Sequence, residues 1–336
     1  MARRRILPIF VPHLGCPNDC VFCNQRRISG SPLPASGDDV TRMLSHARKE
    51  GVTGAELAFY GGSFTAIEAE MQEELLGAAQ PFLADDTVAS IRLSTRPDAI
   101  DETVLQRLAA YDVKTVELGA QSMDDGVLRK SGRGHLAGDT ENAVRLLKNA
   151  GFAVILQMMT GLPGSDREKD LETAQRIIFL CPDGVRIYPT VVVKNTPLED
   201  MWRAGEYREH TVEEAVSLCA DILPMMEEAG IPVIRLGLNP TEELSSGGAV
   251  AGAYHAALGE LVRSEILRRR AAVLLQGVPK GASVTLGVAP ERISAMTGQH
   301  RENIRRLTEE LGLAGLKIRS VSGAGEEIIL VDAKEF

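Results

Sequence analysis

Gly15-Cys16-Pro17-Asn18-Asp19-Cys20-Val21-Phe22-Cys23-Asn24-Gln25 holds three of the five cysteines of this 336-residue chain and directly follows an apolar run, Ile6 to Val11. Thiolates spaced as Cys16, Cys20 and Cys23 are can reach three corners of a cubane iron-sulfur cluster and leave one iron without a protein ligand. Zinc takes the same soft ligands, but a structural zinc site wants four, and His13 is the only local fourth. The stretch therefore points first to an iron-sulfur cluster behind a β-strand, with a cysteine-rich zinc site as the alternative.

Beyond the loop, apolar runs of strand length alternate with stretches of helical period. The strand candidates are Ile6 to Val11, Ala55 to Tyr60, Ile91 to Thr95, Thr115 to Leu118, Val154 to Met158, Val185 to Tyr188 and Val233 to Leu238. Helices are expected at Asp39 to Glu50, Ala66 to Leu83, Glu102 to Tyr111, Asp124 to Lys130, Ala137 to Ala150, Arg167 to Leu180 and Val212 to Ala229. Such alternation means an α/β fold of parallel strands with crossover helices. Periodicity does not choose between a barrel and an open sheet, yet in both the functional loops gather at the carboxyl ends of the strands. Cys16, Gly61, Arg96, Gln121, Gly161 and Tyr188 each fall at or just past such an end.

Composition sets the class. Hydrophobic residues at 44% and charged residues at 25% are ordinary for a globular protein with a good core. Three clustered cysteines with Cys181 and Cys219 apart make no disulfide framework, and an exposed cluster loop needs a reducing compartment. Cys181 and Cys219 are expected to be small buried hydrophobes. The start, Arg3-Arg4-Arg5 before an apolar segment broken by Pro8, Pro12 and His13, is not a signal peptide, and no run is long enough to span a bilayer. A cytoplasmic protein without a membrane partner is expected. A net charge of -9 argues against a uniformly nucleic-acid-coated surface but leaves room for local basic faces. Arg3, Arg4, Arg5, Arg26 and Arg27 form one cluster; Arg263, Arg268, Arg269, Arg270, Lys280, Arg301, Arg305 and Arg306 form another.

The cysteine spacing, with Phe22 before the third cysteine, resembles the radical S-adenosylmethionine (SAM) superfamily. Five further blocks occur in the order found in the Elongator catalytic subunit: Gly61-Gly62-Ser63-Phe64-Thr65, Thr95-Arg96-Pro97-Asp98, Glu117-Leu118-Gly119-Ala120-Gln121-Ser122, Arg133-Gly134-His135 and Asp183 to Thr190. The resemblance runs over about residues 6 to 207 and concerns the radical SAM part only, without the acetyltransferase domain; similarity to short bacterial members extends it. It implies a partial (β/α)6 barrel. It also implies a 4Fe-4S cluster on Cys16, Cys20 and Cys23, whose open iron binds the amino and carboxylate groups of SAM.

Several residues acquire expected roles from this likeness. Phe22, Gly61, Gly62, Ser63, Arg96, Gln121 and Tyr188 are expected to meet the cofactor. The two glycines let backbone approach it closely. Ser63 stands where many members have Glu, so backbone carbonyls must carry that contact. Arg96 can hold a carboxylate in a two-point contact, or simply pair with Asp98. Gln121 is placed to bond ribose or carboxylate, and Gln157 more weakly. Gly161-Leu162-Pro163-Gly164 is expected to shape the adenine pocket. His135 and Lys194 are expected near substrate; no catalytic acid or base is assigned.

After the barrel, Gly252 to Val262 is expected to start a long helix reaching Leu275, with His255 and Glu260 near the substrate mouth. Gly277-Val278-Pro279-Lys280-Gly281 marks a boundary. The chain thus divides into a barrel over 1-240, a helical extension over 241-277 and a small α+β domain over 278-336. In the last, Gly298-Gln299-His300-Arg301 looks like the GxxG loop of a KH domain, with Arg301 replacing the second glycine and Arg305 and Arg306 one turn on. These arginines are expected to contact RNA.

The expected activity is reductive cleavage of SAM to a 5'-deoxyadenosyl radical that abstracts hydrogen from a substrate, with a flavodoxin- or ferredoxin-type electron donor. The substrate suggested by the likeness and the basic tail is tRNA or another RNA. The alternatives are a small-molecule or tetrapyrrole substrate, and a non-catalytic iron-sulfur RNA-binding protein.

Overall fold

The structure is a computed structural model describing residues 5–11, 16, 20–23, 35–241, 244–325 and 327–334. His13, Arg3, Arg4, Arg26 and Arg27 lie outside the described residues. The chain forms two compact units, Met1–Thr211 with Met225–Tyr254, and Val212–Pro224 with His255–Phe336.

The first unit is built on a seven-stranded sheet of order β1-β2-β3-β4-β5-β6-β8, every neighbouring pair parallel. Its strands are β1 (Ile6–Phe10), β2 (Ala55–Tyr60), β3 (Val88–Thr95), β4 (Val113–Gln121), β5 (Ala153–Thr160), β6 (Gly184–Pro189) and β8 (Val233–Leu236). The crossover helices are α1 (Gly37–Lys49), α2 (Ala69–Ala84), α3 (Glu102–Ala110), α4 (Asp125–Lys130), α5 (Ala137–Asn149) and α6 (Arg167–Phe179). Most positions of β2 and β4 are buried, as expected of parallel strands covered on both faces. Ser36, Asp101, Asp124 and Asp166 cap α1, α3, α4 and α6 by accepting the amide three residues on. Each such cap contributes about 1 kcal/mol and fixes where the chain turns back from loop to helix.

The sheet curls, and charged side chains show it. Arg186 of β6 donates from Nη2 to the Tyr60 hydroxyl of β2 at 3.2 Å. In a flat sheet those strands would stand roughly 19 Å apart, at about 4.8 Å per neighbour. Only a concave sheet brings them onto a shared partner, Glu117 of β4. This is the partial barrel the likeness implies, with β8 added beyond β6.

Two short strands went unseen in the sequence: β7 (Val191–Val193) pairs antiparallel with β9 (Ala249–Gly252), and α7 (Pro197–Arg203) follows β7. Runs of three or four residues give no readable period. The pairing also corrects the expected helix start: Gly252 ends β9 with φ 92, and a Cβ there would sit 2.8 Å from the Thr190 carbonyl oxygen, so helix α9 begins only at Leu258. A second correction concerns Cys181, which is exposed in a left-handed turn (φ 49) after α6; Cys219 is buried as expected. Among the described residues no helix is long and apolar enough to cross a membrane.

The second unit contains part of α8 (Val212–Glu228), then α9 (Leu258–Leu274), β10 (Ser283–Val288), α10 (Ile293–Thr297), α11 (Glu302–Leu311), β11 (Gly315–Ser320) and β12 (Ile329–Lys334). β10 is central, parallel to β11 and antiparallel to β12. Leu267 and Ala271 of α9 pack with Val284, Leu286, Met296, Leu307 and Leu316 into its core.

Candidate active site

The described part of the cysteine loop is pinned from two sides. The Val21 amide donates to the Ser131 carbonyl at 3.1 Å, and the Leu198 amide donates to the Val21 carbonyl at 2.8 Å. Phe22 packs with Val21 against Val192, Leu198 and Tyr207. A turn closes between the Cys23 amide and the Cys20 carbonyl at 3.0 Å. Cys16 Sγ lies 3.2 Å from Ser63 Oγ, which brings the first cysteine to the Gly-Gly-Ser turn after β2. Among the described residues none of the three cysteines forms a disulfide. Among the described residues no three Cys, His, Asp or Glu side chains gather around one ion. A cubane does not ask for that, since each thiolate binds a different iron.

Beside Cys23 opens a cavity of about 250 Å³, lined by Phe10, Phe22, Cys23, Gly61, Gln121, Gln157, Met159, Tyr188, Pro189, Val191, Val193 and Leu238. Its walls come from β1, β4, β5, β6 and β7 together with the cysteine loop and the turn after β2. Gly61 has φ 100, a conformation that favours glycine. Gln121 is the more informative residue. It ends β4 with φ 66, 9% exposed, and its Oε1 has no hydrogen-bond partner. A strained backbone and an orphaned acceptor on one cavity wall suit a polar ligand that supplies a donor. Gly119 makes room for this: a Cβ there would stand 2.8 Å from Gln121 Nε2 and 2.9 Å from Arg133 Nη2.

Not every expected contact reaches the cavity. Arg96 is 3% exposed, pairs with Asp98 at 2.5 Å and donates to the Arg133 carbonyl at 3.2 Å. It holds the Arg133-Gly134-His135 segment and does not line the cavity. Arg133 itself, which sequence reasoning gave no role, donates to the Gly119 carbonyl at 2.7 Å and to Cys20 Sγ at 3.5 Å. Cys20 and Arg133 are too distant in sequence for any local pattern to have joined them. His135 is 2% exposed, with Nε2 at 3.3 Å from the Ala120 carbonyl; burial, then Arg133, depress its pKa to about 4, so it is neutral at pH 7. Lys194 is exposed beyond β7. Gly62 and Ser63 belong to the turn after β2, with Ser63 buried against Cys16. His255 and Glu260 fall in the second unit.

A charged network fills the concave face next to the cavity. Glu117, fully buried, accepts from Arg92 Nη1 at 2.7 Å, Arg186 Nη2 at 2.8 Å and the Tyr60 hydroxyl at 3.3 Å on one oxygen, and from Gln157 Nε2 at 3.0 Å on the other. Arg92 also pairs with Glu56 at 2.8 Å. Burial works to raise the Glu117 pKa, but Arg186 and Arg92 outweigh it and hold the carboxyl below its usual range. Burial and the neighbouring Glu117 push the Tyr60 hydroxyl up to about 12. Gln157 is thus both a cavity wall and a partner of Glu117.

The turn after β5 has its own anchor. Asp170, 2% exposed, accepts from the Gly161 amide at 2.8 Å and from Ser165 Oγ at 2.6 Å. Burial pushes its pKa up to about 6 despite those hydrogen bonds. Because the folded pKa lies above the unfolded one, the stabilisation is complete below about pH 4 and is lost as pH rises through about 6. We expect wild type to lose on the order of 2 kcal/mol relative to Asp170→Asn between those limits, read as thermal midpoints against pH.

Residues 10–177, half of the chain, match the Radical SAM superfamily, and residues 182–268 match the Radical_SAM C-terminal domain. The chain belongs to the radical SAM superfamily: it is an enzyme whose cofactors are a 4Fe-4S cluster and SAM. It is 32% identical over 225 residues to an uncharacterized protein of Methanocaldococcus jannaschii, covering 62% of this chain and 68% of that one. It is 40% identical over 148 residues to a tRNA uridine(34) acetyltransferase of Dehalococcoides mccartyi, covering 43% of this chain and 31% of that enzyme. Among solved structures it is similar to archaeal Methanocaldococcus infernus Elp3 with residues 1-46 deleted, with TM-score 0.63, 25% identity and coverage of 79% of this chain and 63% of that one. The chain therefore spans less than a third of the acetyltransferase's length and under two thirds of the Elp3 chain.

Proposed function

We propose that this chain holds the 4Fe-4S cluster through Cys16, Cys20 and Cys23, cleaves SAM reductively and uses the product to abstract hydrogen from tRNA. One observation carries the SAM site: Cys23, Phe22, Gly61, Gln121 and Tyr188, five residues from four separate segments, share one cavity at the carboxyl ends of the strands. The tRNA part rests on the relatives' names and on a free basic groove in the second unit. When bound, the cluster and SAM supply a one-electron cleavage to methionine and a 5'-deoxyadenosyl radical, the electron coming from a flavodoxin- or ferredoxin-type donor.

The residues of the chain position and shield. With SAM bound, Gln121 Oε1 would accept from the ligand, the Gly61 backbone would face it, and Phe22, Met159, Val191 and Leu238 would exclude water from the cavity. Ser63, beside Cys16, and Gly62 shape the turn that faces the cluster. Arg96 acts at one remove, by fixing the segment that carries Arg133.

The test is anaerobic reconstitution with iron, sulfide, dithionite and SAM, followed by detection of 5'-deoxyadenosine. Comparison of modified nucleosides in tRNA from cells with and without the gene then tests the substrate; an unchanged profile would sink the tRNA assignment while leaving SAM cleavage intact. Gln121 gives a sharper prediction. Gln121→Gly removes a left-handed side chain and one ligand hydrogen bond together. SAM binding, measured by calorimetry, should weaken about tenfold, the worth of one neutral hydrogen bond, while the thermal midpoint does not fall.

A further inference from the structure

We infer that the second unit holds single-stranded RNA in the groove between the Gly298–Arg301 turn and the edge strand β11. This rests on the tRNA reading above and adds to it the place where the backbone is gripped; the segment lies beyond both matched family regions.

The groove, about 310 Å³, presents Arg301, Lys317 and Arg319 over an apolar floor of Ile304, Leu316 and Ile318, and among the described residues no carboxylate lines it. Alternation along β11 leaves Lys317 and Arg319 exposed while Leu316 is buried and Ile318 half-buried. Among the described residues none of the three cations forms an ion pair. Four other arginines of the unit are neutralised. Arg305 sits between Glu302 and Glu309, Arg306 pairs with Glu265 and Glu310, Arg268 with Glu265 and Glu310, and Arg269 with Glu265 and Asp221. The expected RNA contacts of Arg305 and Arg306 are thereby reassigned: their charge is used within the protein, and Arg301 is joined instead by two residues of β11. In a chain of net charge -9, an acid-free trio of cations attracts a polyanion locally.

The turn is held for presentation. Gly298 has φ 76, and the successive L-residues His300 and Arg301 have φ 50 and 62. Such a backbone is strained for an L-residue and persists only where the surroundings impose it. Here Asn303, 4% exposed, imposes it: its Nδ2 donates to carbonyls of Ser264 at 3.0 Å, Ala295 at 3.2 Å and Met296 at 3.2 Å. A Cβ on residue 298 would stand 3.0 Å from the Asn303 amide nitrogen. Arg301 therefore projects from a backbone fixed before any ligand arrives. Fixed cations beside an aliphatic floor match a single strand, whose phosphates meet the cations and whose unstacked bases cover the floor. An acidic peptide offers the charge without a flat apolar partner for Ile304, Leu316 and Ile318.

The test uses the full chain and oligouridylate, with polyglutamate as the competing polyanion, titrated across salt concentrations. Replacing Arg301, Lys317 and Arg319 together by Gln should weaken oligouridylate binding and lower the slope of log K against log salt by about 2, at ~0.7 per phosphate. Arg305→Gln with Arg306→Gln should leave that slope unchanged. Circular dichroism and thermal midpoints check that the triple variant is folded. If the triple variant binds like wild type, or if polyglutamate binds as tightly as oligouridylate, the groove is not an RNA site. These outcomes are separable from the enzyme assignment: a wild-type chain that binds oligouridylate through the trio but releases no 5'-deoxyadenosine keeps the groove and loses the SAM chemistry.

Discussion

Replacing Cys20 by Ser should abolish formation of 5'-deoxyadenosine, while replacing Cys181 or Cys219 by Ser should leave it near wild type. The expectation follows from what each sulfur can do. In the proposed site Cys20 is one of three thiolates that would hold the cluster, so its loss would remove the anchor of an iron, whereas serine at the exposed Cys181 or the buried Cys219 would change no proposed ligand. The readouts are bound iron after anaerobic reconstitution and the absorbance of the reconstituted protein, with SAM cleavage falling by about three orders of magnitude or more for Cys20→Ser. Cys16→Ser and Cys23→Ser should behave the same way. Retention of the cluster by all three variants would mean that other ligands hold it, and uptake of zinc in place of iron would sink the cluster assignment outright.

The order of elements in the barrel was legible because each one follows a rule of period. Parallel strands are apolar on both faces, helices between them repeat near 3.6 residues, and the break between the two is marked by Ser or Asp caps. The approximate bounds of β2, α3 and α5 could be read in this way. The site was legible where chemistry is local: three cysteines in one loop, two glycines directly after a strand, a glutamine at a strand end.

What stayed hidden depends on contacts between distant segments. Arg92, Glu117 and Arg186 each interrupt an apolar strand, and nothing in any one strand says that they meet. Their meeting depends on how tightly the sheet curls. Arg133 stands in a recognisable block, yet its reach to Cys20 requires Arg96, from a third segment, to fix its backbone. In the tail, Arg301, Arg305 and Arg306 look equivalent in sequence. Among the described residues, the carboxylates packed around α11 pair with Arg305 and Arg306 and leave Arg301 without an ion pair.

Glu117→Ala should destabilise the first unit by about 3–5 kcal/mol, the cost of leaving buried charge without its partner. Two guanidiniums lose a shared counter-ion at once, and among the described residues Arg92 keeps Glu56 while Arg186 keeps the Tyr60 hydroxyl. Already in the intact protein the Nε atoms of both arginines are buried without a partner, so little hydrogen bonding remains to take up the loss. Glu117→Gln should cost less, because an amide oxygen still accepts from the arginines, but it places an NH2 opposite Gln157 Nε2 or the guanidiniums and so forfeits one bond. The pH dependence is separable from that of Asp170 and opposite in sign. Glu117 has a folded pKa below its unfolded value, so its stabilisation is present above about pH 4.5 and is lost as pH falls through the folded pKa. Acid unfolding of wild type should therefore steepen below that point, and the Glu117→Gln variant should lack the extra step. Because Gln157 is a cavity wall held by Glu117, the same variant should bind SAM more weakly at pH 7, where it is still folded. A Glu117→Gln protein with wild-type stability at pH 7, the same acid step as wild type and unchanged SAM affinity would show that the network carries neither the curl of the sheet nor the shape of the cavity.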